Sequence, residues 1–162
     1  MIPYKKTKLI VEAFNEMPDK RLIVIGSGEE FDSMNLIAKE NIELLGYQEK
    51  EDMIKYVQRA KAFLYAAVED FGIVPIEALS CGTPVIALDE GGTKETVQNR
   101  VNGVHFKTQT KEDIINAVSE FENSSFDLRK ISEDTQVYSI SRFKREFLEF
   151  CESCMHSHSE RL

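Results

Sequence analysis

The chain is short of basic residues. Twenty lysines and arginines stand against 28 aspartates and glutamates, a formal net charge of −8 with a pI near 5.0. That sign excludes nucleic acid or an anionic membrane as the main partner, although one local basic cluster still suits a single anion. Apolar runs are short too. None approaches the ~18–20 residues of a membrane span, and the first residues lack the apolar core of a secretory leader. Cysteine is scarce, at three residues. An odd, sparse count with no secretory signal predicts a reducing, cytoplasmic setting and no disulfide framework. Internal repeats and low-complexity tracts are absent.

What is present is ordinary for a globular chain: 42% apolar and 30% charged residues over 162 positions, enough for one domain with a real core. Short apolar runs alternate with amphipathic stretches. "TKLIVEAFNEM" (7–17) has helical spacing, and "RLIVIG" (21–26) reads as a buried strand. Glu29 to Ala38 suits a helix, "NIELLG" (41–46) a strand, and "EKEDMIKYVQRA" (49–60) a helix with Met53, Ile54, Val57 and Ala60 on one face. "AFLYAA" (62–67), "PVIAL" (84–88) and "GVHF" (103–106) supply further strands, with helices after the first, from Thr93, and from Lys111 to Phe121. This alternation predicts an α/β fold, a Rossmann-like doubly wound parallel sheet covered on both faces. The polar stretch "ENSSFD" (122–127) then sets off a helical tail, so we expect an α/β body over 1–122 and a tail over 123–162 packing on it.

Before the first helix stand only "MIPYKK", six residues without room for a full strand. A sheet of this type normally begins with a strand that lies in its middle, so its loss exposes two neighbouring edges. We therefore expect the chain to be the C-terminal part of something longer. Pairing with a second copy, as a homodimer, is one way to cover those edges.

The chemistry concentrates in "EDFGIVPIEALSCGTPVIA" (69–87), where Glu69 and Glu77 flank the glycine of "FGIVP". A strand ends and a turn carries Glu69, Asp70 and Phe71. Gly72 allows close backbone approach, and a helix opens at about Ile73 to Pro75, where proline is tolerated because first-turn N–H groups have no intrahelical partner. The free N–H groups near Gly72, Ile73 and Val74 then face the crevice at the carboxyl ends of the strands, an anion site suited to phosphate. Carboxylates beside a phosphate repel it and instead accept from hydroxyl groups. Two of them around one diphosphate fit a sugar on one side and a ribose on the other, which describes a nucleotide-diphospho-sugar.

These residues, followed by "GGTKETV" (91–97), resemble the C-terminal donor-binding domain of the group 1 family of retaining glycosyltransferases with the GT-B fold. The similarity runs from "PYKK" through "IGSGEE" and "NIELLGY" to "NGVHF". It looks closest to mannosyltransferases of cell-surface polysaccharide synthesis. The resemblance implies Glu69 beside the donor hexose, Glu77 on the ribose hydroxyls, and Phe71, Gly72, Ile73 and Val74 on the hexose and diphosphate. It implies Lys6 as the lysine that neutralises the leaving diphosphate, with its partner arginine falling just before residue 1. Tyr47 and Gln48 are candidates for contact with the nucleotide base, and Gly26 and Gly28 for lining the crevice. The implied donor is GDP-mannose first and a UDP-hexose second. The acceptor groups belong to a missing N-terminal domain, through which the protein would reach the inner membrane surface peripherally. No DxD-like acidic cluster closes a strand, so we expect donor binding without metal or other cofactor. The fragment alone should transfer little.

Plainer readings stand beside these. Glu69 and Glu77 also read as helix-start acids, worth ~0.3–1 kcal/mol each. Lys6 reads as a solvated lysine, and Tyr47 and Gln48 as ordinary loop residues. "IGSGEE" lacks the third glycine of a dinucleotide fingerprint, since Phe31 stands there. "GGTKETV" is either a sugar contact or a tight turn with Thr93 as helix cap. "CESCMHSH" gathers Cys151, Cys154, His156 and His158 at a spacing too compressed for a known zinc finger, and Cys81 reads as packing. A sugar-nucleotide epimerase half, or a non-catalytic nucleotide-binding module, remains as an alternative.

Overall fold

The structure is a computed structural model that describes residues 2–159, without the side chains of 157–159. A 3-10 turn over Pro3–Lys5 leads into α1 (Thr7–Phe14), β1 (Leu22–Ile25), α2 (Phe31–Ile37), β2 (Ile42–Gly46), α3 (Lys50–Arg59) and β3 (Phe63–Tyr65). Then follow α4 (Ile73–Ser80), β4 (Val85–Leu88), α5 (Gly92–Thr96), β5 (Gly103–Phe106), α6 (Lys111–Glu122) and α7 (Leu128–Asp134). A second 3-10 turn, Thr135–Tyr138, precedes the long α8 (Ile140–Ser159).

Every strand pairing is parallel, as continuous β-branched runs between helices require. The strands form two hydrogen-bonded pieces, β1-β2 and β3-β4-β5. Among the described residues β1 and β3 therefore each pair on one side only.

The period-2 pattern of β4 shows how both faces are covered. Ile86 and Leu88 join the larger core with Val24, Ile42, Val104 and Phe106 under Val11 and Phe14 of α1 and Ile114 of α6. Val85 and Ala87 point the other way, to Ala78 and Leu79 of α4 and Ile131 of α7. Both pieces of sheet share the first core, which holds them in one body.

Local departures from the sequence reading have physical causes. The first helix stops at Phe14, three residues before Met17; Asn15 lies beyond it, its side chain bonded to the Ile37 carbonyl and the Lys39 amide. The helix expected from Thr93 is a single turn, Gly92–Thr96. Thr93 does not cap it: the buried hydroxyl donates back to the Leu88 and Glu90 carbonyls at 2.7 and 2.9 Å. In the tail, Ile131 is buried and the Ser132 hydroxyl donates to the Ser80 carbonyl at 2.7 Å, tying α7 to α4. The sequence places α8 against the body as well, yet Phe143, Phe147, Leu148 and Phe150 are exposed.

Candidate active site

Glu69 lies in the turn between β3 and α4, and backbone contacts from the next loop set its position. The Gly92 N–H donates to the Glu69 carbonyl at 2.8 Å. A Cβ built on Gly91 would stand 2.4 Å from that carbonyl oxygen, and one on Gly92 would stand 2.3 Å from the Phe71 oxygen. Only hydrogen fits between the two loops. The glycine pair of "GGTKETV" thus holds the segment 69–71 from beneath.

The turn ends at Gly72, whose φ of 77° and ψ of 67° are left-handed and natural only to glycine. Its reversal starts α4, with Pro75 buried in the first turn. No described residue accepts a hydrogen bond from the N–H groups of Gly72, Ile73 or Val74. Gly72 itself is buried, while Phe71, Ile73 and Val74 expose their side chains around these amides. Tyr138 meets the Phe71 ring edge-on at 5.9 Å. Glu77, one turn further along α4, is exposed and has no hydrogen-bond or ion-pair partner for its carboxylate among the described residues.

The lysine that meets Glu69 is Lys5. The two form an ion pair, and Lys5 Nζ also donates to the Tyr65 hydroxyl at 3.2 Å. The Tyr4 hydroxyl donates to Glu69 Oε1 at 3.2 Å. Burial works against the Glu69 charge, but hydrogen bonds from Lys5 and its neighbours outweigh it and hold the carboxyl below its ordinary value. Burial likewise opposes the Lys5 charge, and the bonds to Glu69 and Tyr65 prevail, raising the ammonium. Lys6, the lysine singled out by sequence, is exposed at a left-handed backbone position with φ 56° that ends the 3-10 turn.

The structure therefore gathers Glu69, Phe71, Gly72, Ile73, Val74 and Glu77 along one loop and helix start, and brings Lys5 rather than Lys6 to Glu69. Gly26, Gly28, Tyr47 and Gln48 form a separate group on the β1-β2 piece, where the Gly26 N–H donates to the Gly46 carbonyl at 2.7 Å. Gln48 is turned onto the Leu45 carbonyl at 3.1 Å, and Tyr47 is 69% exposed with its hydroxyl 3.4 Å from Glu49. Sequence reasoning missed Lys5, Tyr4 and Tyr65. "PYKK" offers two adjacent lysines with no spacing rule to choose between them, and Tyr65 sits inside an apolar strand that reads as core.

The remaining candidates are quiet. Cys81 is half-buried at the end of α4, where burial pushes its thiol up, away from the range of a nucleophile. Among the described residues no group of three His, Cys, Asp or Glu side chains gathers as a metal site; the His158 side chain lies outside them. No helix among the described residues is long and apolar enough to cross a membrane.

Comparison with known proteins gives the family and the fold. Residues 1–137 match the family model of glycosyl transferases group 1. The chain is 34% identical over 112 residues to a GDP-mannose-dependent monoacylated alpha-(1-6)-phosphatidylinositol monomannoside mannosyltransferase of Corynebacterium glutamicum, covering 60% of this chain and 29% of that protein. A D-inositol 3-phosphate glycosyltransferase of a Mycobacterium species is 32% identical over 112 residues, with 62% and 26% covered. The chain thus spans less than a third of the length of these curated relatives. Among solved structures, Anabaena HepE in complex with UDP and glucose superposes with a TM-score of 0.80 at 19% identity, over 94% of this chain and 46% of that one. Sucrose-phosphate synthase of Thermosynechococcus elongatus gives 0.78 at 21% identity, over 96% and 44%. These likenesses fix the fold as that of GT-B glycosyltransferases. With its glutamate pair, glycine-held loop and matched length, the chain belongs to the group 1 glycosyltransferase family.

Proposed function

We propose that this chain is the donor-binding part of a retaining glycosyltransferase, moving a hexose from a nucleotide-diphospho-sugar to a glycan or lipid-linked acceptor. The observation that carries the reading is the start of α4, where the amides of Gly72, Ile73 and Val74 have no described acceptor and a carboxylate stands on each side. Such a helix start favours the diphosphate, while Glu77 accepts from ribose hydroxyls and Glu69 from the hexose. As the sugar–phosphate bond breaks, positive charge develops on the sugar and negative charge on the diphosphate. Fixed N–H donors and a lysine stabilise that leaving group with no metal required. Lys5 takes this role in place of Lys6, because Lys5 already stands at Glu69.

Mannose from GDP-mannose is the favoured donor, supported by the GDP-mannose-dependent relative. A UDP-hexose is second, given the UDP and glucose bound by HepE. Residues 1–122 would bind the donor and 123–162 form the helical tail, with acceptor groups supplied by a further domain. The chain alone should therefore bind donor and transfer little.

The test is calorimetric titration with GDP, UDP, GDP-mannose and UDP-glucose, with and without EDTA. GDP-selective binding that survives EDTA is expected. A folded chain that ignores every nucleotide would refute the reading and favour a scaffold module.

A further inference from the structure

The lysine at this site is held by more than its ion pair. Lys5 comes from the 3-10 turn Pro3–Lys5, and Tyr65 is the last residue of β3. Tyr65 is only 7% exposed, lies opposite Ala87 of β4, and stacks on Phe63 at 6.2 Å between ring centres. Its hydroxyl is thus a fixed point, whereas Lys5 ends a flexible four-carbon stem. The Lys5 ammonium stands 3.2 Å from that hydroxyl, off the oxygen edge of the Tyr65 ring, and 5.0 Å from the Tyr4 ring centre. The Tyr4 ring presents the negative face that attracts a cation. Burial and the neighbouring Glu69 carboxylate push the Tyr65 phenol up to about 12, so it keeps its proton across the physiological range.

We propose that Tyr65 is a positioning residue, whose hydroxyl keeps Lys5 at the mouth of the site while the ammonium passes from Glu69 to a ligand phosphate. Without ligand, Lys5 neutralises Glu69. When a diphosphate reaches the start of α4, it competes for the same ammonium and releases the Glu69 carboxylate to accept from sugar hydroxyls. Tyr65 stays bonded through the exchange, so the lysine trades one oxygen anion for another without a search. This handover rests on the donor-site reading above, but the placement of Lys5 by Tyr65 is testable without any ligand.

The experiment uses the whole chain with 15N-labelled lysine and reads the ammonium resonances by NMR. Lys5→Met assigns the Lys5 signal. The wild type should show a Lys5 ammonium protected from solvent exchange, and Tyr65→Phe should lower that protection by roughly 10-fold, the effect of losing one hydrogen bond to a charged group. Lys6→Met should leave it unchanged. An unaltered Lys5 signal in a folded Tyr65→Phe chain overturns the proposal. If that variant fails to fold, 3-fluorotyrosine incorporation, which makes the phenol more acidic and keeps the packing, should shift the Lys5 resonance; no shift overturns the proposal equally.

Titration with GDP and with inorganic pyrophosphate then separates the two readings. With either ligand bound, a Lys5 ammonium that stays protected in the wild type and loses protection in Tyr65→Phe supports the handover, and a bound-state Lys5 signal unaffected by Tyr65→Phe overturns it. A protected Lys5 in a wild-type chain that binds no nucleotide refutes the donor reading, and the handover with it, while the placement of Lys5 by Tyr65 stands. An unprotected Lys5 with GDP bound at α4 refutes the positioning role alone.

Discussion

Gly92 and Glu77 stand at the candidate site in two different ways. Gly92 acts by having no side chain. Its Cβ would fall 2.3 Å from the Phe71 oxygen, so Gly92→Ala must push the Glu69–Phe71 loop away. We expect a loss of about 1–3 kcal/mol in urea denaturation, the usual cost of overpacking, together with weakened nucleotide binding. In the proposed reading Glu77 would act through its carboxylate, which is exposed and has no hydrogen-bond or ion-pair partner among the described residues. Glu77→Ala should therefore leave stability within about 0.5 kcal/mol. It should lower GDP affinity roughly 10-fold or more, through lost bonds to ribose, and leave pyrophosphate affinity unchanged. Glu69 is the residue with a pH signature. Its carboxyl lies below its ordinary value, because bonds from Lys5 outweigh the opposing effect of burial. A depressed acid contributes stability above its unfolded value and loses it as pH falls through the folded one. Stability of the wild type relative to Glu69→Gln should hold from neutral pH to about 5 and shrink below about 4.3, as followed by thermal unfolding over pH. The placement of the two glutamates and Gly72 around a helix start was legible in sequence, because a glycine and a first-turn proline mark where α4 opens. The Lys5–Glu69 ion pair was not, because "PYKK" offers two adjacent lysines and no spacing rule to choose between them.

Helix α8 is the element whose role is least settled by packing. Its apolar residues Ile140, Phe143, Phe147 and Phe150 recur at helical spacing and remain 55–74% exposed. Ion pairs Arg142–Glu146 and Arg145–Glu149 stay within the helix itself, and such exposed pairs stabilise it by a few tenths of a kcal/mol at most. Deleting residues 140–162 should thus leave the melting temperature of the body within a few degrees, since 1 kcal/mol moves a chain of this size by only about 2–4 °C. It should also reduce binding of an apolar dye such as ANS. A drop above about 10 °C would show that α8 supports the core. The element types of the body were readable from period: β4 alternates between two cores, and α6 buries Ile114, Ala117 and Val118 along one side. Periodicity says which side of α8 is apolar, but not whether anything lies against it. The early end of α1 and the brevity of α5 were likewise invisible, because they depend on Asn15 and Thr93 bonding to partners distant in sequence or behind them.

At the scale of the whole molecule, family membership and fold agree, while the division of the sheet into β1-β2 and β3-β4-β5 keeps the two groups of site residues on separate pieces. Glu69 and α4 belong to one piece. Gly26, Gly28, Tyr47 and Gln48 belong to the other, and a nucleotide base reaching toward Tyr47 would have to span both. The break in pairing agrees with the reading of "MIPYKK" as too short for the strand expected in the middle of the sheet; the crevice at the strand ends is the expectation that parallel topology adds. The most direct measurement is amide chemical-shift mapping of the chain titrated with GDP in EDTA. The largest shifts should fall on Gly72, Ile73 and Val74, saturate together, and weaken in Glu77→Ala. Saturable shifts confined elsewhere, or amides of 72–74 that stay unmoved while nucleotide binds, would contradict the donor reading.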